Sequence, residues 1–254
     1  MVRIPSPSRI SRGIRRRLLP QTTTFQGQTL PAPHLRYCGP DFHDDAVFLG
    51  SARDEARRLV TDFGLNERTR LLEIGCGPGR LPIGLVAESL RVARYDGVDV
   101  DAAAIRWCER HLAPGHPEFH FHHIDAKNER YNPDGREMDD SFQLPLEAGS
   151  YDLVYLHSIF TNMLERDIAV YCREFHRLLR VGGAVFLTGF VEENVPAVTV
   201  NPEDYHIKAT GPFNVIRYEK EYFLSLLCKP GFEVERFSHG TELGRQSAVH
   251  LRRL

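Results

Sequence analysis

"LLEIGCGPGRLP", residues 71–82, places Gly75, Gly77 and Gly79 directly after an apolar run that contains an acid, Glu73. A short apolar run bounded by glycines reads as a buried strand over 70–74. The residues that follow carry Ile83, Val86 and Leu90 at helical spacing, so a helix is expected over 80–90. A strand that passes through G-x-G-x-G into a helix lets a ligand reach the backbone where a sheet's carboxyl edge meets a helix N-terminus. Glycine permits both the tight turn and the close approach. Several nucleotide-binding folds share this device, so the acids elsewhere in the chain must decide between them.

Working outward, "DDAVFLGSARDEARRLVTDFGL" (44–65) has helical apolar spacing and a stop at Gly64. Strands are expected at 95–100, 119–125, 151–158 and 182–190, with a helix at 167–180 and another behind Asp101, whose Ile105, Cys108 and Leu112 form an inward stripe. Alternation of this kind specifies an α/β fold, a Rossmann-like parallel sheet with helices on both faces. "YEKEYFLSLLCKPGFEVERFS" (218–238) adds a helix, a glycine stop and a strand. "SAVHLRRL" (247–254) is a last strand reached without a crossover helix, and it should therefore run antiparallel.

Composition sets the class. The chain has 254 residues, 42% of them hydrophobic and 26% charged, as in globular proteins, and no apolar run approaches the roughly 20 residues of a membrane helix. Five cysteines with no C-x-x-C pair argue against a disulfide framework or a zinc site, and they read as reduced thiols in a cytoplasm. Residues 1–40 hold seven arginines and no acid. The net charge of −2 then leaves about −9 for the rest, which makes nucleic acid a poor partner for the body. Residues 1–44 are read as a flexible basic segment ahead of one domain at 45–254. Ile10, Ile14 and Leu18 could form a short stripe for weak contact with an anionic membrane surface, and an Arg-rich, acid-free start is also the look of a transit peptide.

The acids then decide between cofactors. Asp99 ends the second strand twenty residues after Gly79, where a carboxylate can accept both hydroxyls of a ribose. Asp125 ends the third, in reach of an exocyclic amine. Glu73 lies where a dinucleotide fold usually keeps an apolar residue, and an acid there suits a cationic ligand. "LLEIGCGPGR", "GVDVD", "HHIDA", "SYDLVYLHS" and "LLRVGGAVFLTGF" together resemble the successive motifs of the class I S-adenosylmethionine-dependent methyltransferases over roughly 65–252. That resemblance implies a seven-stranded sheet with an antiparallel last strand and S-adenosyl-L-methionine as cofactor. It also implies Glu73, Gly75, Cys76, Gly77 and Gly79 around the methionine part, Asp99 with Val100 at the ribose, and Asp125 with Ala126 at the adenine.

"FTNML" after the fourth strand and "NERYNPDG" (128–135) after the third resemble bacterial enzymes that methylate hydroxyls of sugars, glycolipids and natural products. Relatives of that kind often have a histidine where this chain has Asn162. The expected acceptor is a hydroxyl on a small molecule or glycan, with a small amine as the alternative. A hydroxyl is a poor nucleophile and benefits from a base in reach. His157, ending the fourth strand, is the first candidate for that base or for orienting the acceptor; Glu192, Glu193, Tyr205 and His206 come next. The loop 191–214, long, polar and broken by three prolines, has the profile of a substrate-covering segment. His120 and His122 share a strand face while His123 points away, and with no completing ligand no metal is expected.

Three other functions remain to be weighed. No tyrosine has a lysine four residues later, so the pair used by short-chain reductases is absent. "HSIFTN" lacks the prolines typical of amino-methylating nucleic-acid enzymes after the fourth strand. A non-catalytic methyltransferase-like binding subunit stays as the rival reading.

Overall fold

The structure, a computed structural model, describes residues 20–37 and 39–254. The Ile10, Ile14, Leu18 stripe, six of the seven N-terminal arginines and Cys38 lie outside the described residues.

Local signals set the elements. Helix α1 (Asp45–Phe63) starts where the Asp44 side chain accepts from the Ala46 and Val47 amides, and it stops at Gly64 in the left-handed conformation, φ 64°. Strand β3 (Arg70–Ile74) leads into α2 (Arg80–Ala87), and β4 (Arg94–Asp99) into α3 (Ala102–His111). Asp101 caps α3 by accepting from the Ala103 and Ala104 amides. Then come β5 (Phe119–His123), β6 (Tyr151–Leu156), α4 (Glu165–Leu178), β7 (Leu179–Glu192), α5 (Lys220–Cys228), β10 (Phe232–Ser238) and β11 (Ser247–Arg253).

The main strands stand in the order β10-β11-β7-β6-β3-β4-β5. β3, β4, β5, β6 and β7 pair in parallel, and β11 runs antiparallel to both β7 and β10. The expected seven-stranded sheet with a reversed last strand is therefore the framework. Two short strands extend it. β9 (Ile216–Glu219) pairs in parallel with the far end of β7, and β8 (Val198–Val200) pairs antiparallel with β9. Part of the expected covering loop 191–214 is thus sheet.

Both faces are covered. Leu72, Ile74, Val154 and Leu187 pack with Ile168, Cys172 and Phe175 of α4 and with Phe223 of α5. Leu71, Tyr95, Leu153 and Phe186 pack with α1, α2 and α3 on the other side. Each such fully buried side chain is worth about 1.5–3 kcal/mol relative to exposure.

The domain start moves upstream of residue 45. β1 (Thr22–Phe25) and β2 (Gln28–Pro31) form a hairpin, Leu30 is fully buried, and the Gln21 carbonyl accepts from Trp107 Nε1 at 2.8 Å. Arg36, counted among the basic arginines, is buried. It donates to the Pro31 and Phe42 carbonyls at 2.8 and 3.0 Å and pairs with Asp45. The described residues before 45 are part of the folded unit because a buried guanidinium with several acceptors cannot leave them cheaply.

Candidate functional site

At the carboxyl edge of the sheet, the ends of β3, β4 and β6 open onto a cavity of about 360 Å³. Gly75, Gly77 and Gly79 all adopt positive φ, at 75°, 51° and 81°. A Cβ on Gly75 would lie 2.0 Å from Ile159 Cδ1, and one on Gly77 would lie 3.1 Å from the Tyr37 ring. Gly75 and Cys76 both donate their amides to the Val98 carbonyl, which fastens the turn to β4.

Asp99 is buried on the cavity wall. Its Oδ2 accepts from the Gly77 amide and its Oδ1 from the Asp101 amide, both at 2.7 Å. Burial pushes this carboxyl above the usual range, and those two N–H groups oppose the shift. A carboxylate oxygen accepts about two hydrogen bonds, so the group retains acceptor capacity beyond these two N–H partners. The neighbouring wall, Val98, Val100 and Ile124, is apolar.

Among the expected cofactor contacts, Gly75, Asp99 and Val100 line the cavity; Glu73, Cys76, Gly77, Gly79, Asp125 and Ala126 do not. The alternation of β3 sends Leu72 and Ile74 to the α4 face and Leu71 and Glu73 to the α1–α2 face. There Glu73 Oε2 accepts from the Tyr95 hydroxyl at 2.5 Å. Burial pushes its carboxyl up to about 8, helped by the Glu55 and Asp99 charges and opposed by the Tyr95 hydrogen bond and the nearby Arg80. In this structure Glu73 lies behind the cavity wall rather than on it, and its enclosure favours the uncharged carboxyl. Asp125 is exposed and accepts from Asn132 Nδ2 at 3.1 Å, which turns it toward the 128–135 insertion. Ala126 is buried beneath the same insertion, its carbonyl accepting from Asn132 Nδ2 at 3.1 Å.

Of the acceptor-side candidates, His157 alone stands on the wall. Its side chain is 7% exposed, with Nε2 3.7 Å from Glu242 Oε2 and Nδ1 3.1 Å from Ser158 Oγ. Glu242 in turn lies 2.8 Å from Arg58 Nη1. Glu192 is 3.6 Å from Arg217 and Glu193 is paired with Lys220 at 2.8 Å, both away from the cavity wall. Tyr205 packs against Phe190 with ring centroids 5.3 Å apart, and burial pushes its hydroxyl up to about 12, which removes it as a base near neutral pH. His206 is exposed, with Nε2 2.9 Å from the Gly244 carbonyl. In this structure these four residues support the 191–219 segment and its contacts through ion pairing, packing or a backbone hydrogen bond.

Several wall residues were not among the expected site residues. Tyr37 lies over the glycine turn and donates to Asp101 Oδ2, and its ring stands 5.7 Å from that of Tyr131 in the insertion. Asn162 donates through Nδ2 to the Phe213 and Asn214 carbonyls at 2.9 and 2.8 Å. Gln246, just before β11, and Ser158, next to His157, also face the cavity. Ser158 alone was within reach of a sequence reading, because it follows the last residue of a strand end already singled out. Phe190, Ile207, Val215 and Leu243 also line the cavity. His122 Nε2 is bonded to buried Asp96 at 2.7 Å, and among the described residues no group of three His, Cys, Asp or Glu is arranged to hold a metal.

A family model described as a methyltransferase domain matches residues 72–185. The chain is 29% identical over 133 residues to a ribosomal protein L11 methyltransferase from Methylobacillus flagellatus, covering 52% of this chain and 36% of that protein. It is 23% identical over 201 residues to a ubiquinone/menaquinone biosynthesis C-methyltransferase from Geobacter sp., covering 78% and 71%. The chain thus spans about a third of the length of the first relative and most of the second. Among solved structures, an S-adenosylmethionine-bound amino pentose methyltransferase from Micromonospora echinaspora superposes with a TM-score of 0.52 at 16% identity, over 82% of this chain and 92% of that one. A likeness at that identity speaks to the fold.

Proposed function

We propose, for a chain that belongs to the class I S-adenosylmethionine-dependent methyltransferases, that it transfers a methyl group to a hydroxyl of an uncharged small-molecule or glycan acceptor, with His157 as the base. The observation that carries this reading is a buried imidazole on the wall of an otherwise largely apolar cavity, with a carboxylate behind it.

The residues present suit S-adenosylmethionine. Asp99 has free acceptor sites for two ribose hydroxyls, the Val98, Val100 and Ile124 wall suits a flat base, and the Gly75 turn leaves the backbone open. When bound, that cofactor supplies an activated methyl group on sulfur.

The chain's own contribution is alignment, dryness and a proton acceptor. An acceptor oxygen must sit about 3 Å from the methyl carbon and in line with the bond that breaks. Phe190, Ile207, Val215 and Leu243 offer apolar surface against which an acceptor scaffold would pack. A hydroxyl gains from a base as its oxygen attacks, whereas a deprotonated amine needs none. His157 is placed to take that proton, and Glu242 to stabilise the imidazolium that results. Among the described residues the carboxylate and guanidinium groups on the wall are those of Asp99 and Arg130, one of each sign, which favours an uncharged acceptor.

The test uses S-adenosylmethionine labelled in its methyl group and three probes: 4-methylumbelliferone, methyl glucoside and benzylamine. Label should move to a hydroxyl probe, and His157→Gln should lower kcat about 100-fold with the KM for S-adenosylmethionine unchanged. Transfer to the amine alone, or an unaffected His157→Gln variant, would contradict the reading.

A further inference from the structure

Ser158 follows the last turn of β6 with φ at +61°, a left-handed conformation that a residue with a side chain rarely adopts. Its amide donates to Thr188 Oγ1 at 2.8 Å, which holds the backbone there. Thr188 is fully buried in β7, and its own hydroxyl proton goes to Gln246 Oε1 at 2.5 Å. That fixes the orientation of the Gln246 amide, leaving Nε2 to donate to Ser158 Oγ at 2.7 Å.

The Ser158 hydroxyl proton then has two acceptors in reach. Gln246 Oε1, at 3.1 Å, belongs to the same amide that is already donating to Oγ, and it already accepts from Thr188. His157 Nδ1, also at 3.1 Å, has no other partner among the hydrogen bonds of the described residues. The proton therefore belongs on the bond to His157. The imidazole carries its own proton on Nε2, the nitrogen that faces Glu242.

We propose that Ser158 is a catalytic hydroxyl that relays the acceptor's proton to His157, in a chain that runs Ser158, His157, Glu242. Ser158 and His157 both line the cavity, and Ser158 Oγ keeps a second lone pair after accepting from Gln246. As the acceptor oxygen bonds to the methyl carbon, the carbon–sulfur bond breaks and its electron pair stays on sulfur as a neutral thioether. The acceptor proton passes to Ser158 Oγ while the Ser158 proton passes to His157 Nδ1. The imidazolium is held by Glu242 and returns its proton to water after product leaves.

This rests on the hydroxyl-transfer reading above, and the experiment separates the two. The full chain is assayed with 4-methylumbelliferone and methyl glucoside beside Ser158→Ala and Ser158→Gly, the glycine accommodating the positive φ. Each variant should lower kcat about 100-fold with KM for S-adenosylmethionine unchanged. In ¹⁵N-histidine spectra, assigned with His157→Gln, the wild type should carry the His157 proton on Nε2, and both Ser158 variants should lose the hydrogen-bond shift at Nδ1. Full activity in both variants, or a His157 proton on Nδ1, would overturn the relay while leaving the hydroxyl reading standing. A wild type silent on both hydroxyl probes would overturn the hydroxyl reading, and the relay with it.

Discussion

Glu73 and Asp99 are two acids at the ends of adjacent strands, and the structure gives them opposite tasks. Asp99 faces the cavity with two backbone N–H partners, while Glu73 is enclosed with Tyr95 on the other side of the sheet. Burial holds the Glu73 carboxyl up at about 8. A folded value raised above the unfolded one means stability that is full below about pH 4.5 and falls as pH rises toward 8. Glu73→Gln removes this dependence. Wild type should lose stability between pH 5 and 8 relative to Glu73→Gln, by about 1.4 kcal/mol per pH unit at most, in urea melts run at both pH values. Parallel curves would show that Glu73 is ionised in the fold. The sequence marks Glu73 as unusual without telling which face it takes: both faces of β3 are apolar, so alternation separates Glu73 from Ile74 but does not say which of them meets the ligand.

At the scale of elements, α1 and α2 meet closely because Gly84 has no side chain. A Cβ there would stand 2.0 Å from the Ala52 carbonyl oxygen, with Ala52 and Ala56 fully buried at the same contact. Backbone cannot yield as a flexible side chain can, so Gly84→Ala should cost about 2–3 kcal/mol, read as a lower urea midpoint with an unchanged slope. No loss would mean that the helices can separate freely. Strands and helices with strong local periodicity, such as β3 with α2 and the reversed β11, are legible without coordinates. β9 is not: "IRYE" exists as a strand only through the far end of β7, a pairing that no local pattern announces, and its last residues read as the start of α5. Gln246 and Tyr37 reach the cavity by the same kind of long-range contact, which is why they escape a reading of the sequence.

For the whole molecule, the composition of the first forty residues suggests a tail, yet the described part of them closes the cofactor end of the cavity through Tyr37 and anchors through buried Arg36. One arginine with buried acceptors outweighs the polar look of the residues around it. No described helix is long and apolar enough to cross a membrane. The fold, the glycine turn, Asp99 and the apolar slot beside it converge on one ligand. The measurement that tests this most directly is a calorimetric titration of the full chain with S-adenosylhomocysteine, beside NADH and beside Asp99→Asn. The substitution replaces one carboxylate oxygen with an NH2 group, a donor that faces the Gly77 or Asp101 N–H, which should weaken binding at least about 10-fold. The account predicts micromolar binding of the thioether, its weakening in the variant, and no heat with NADH. Heat with NADH and none with S-adenosylhomocysteine would contradict it.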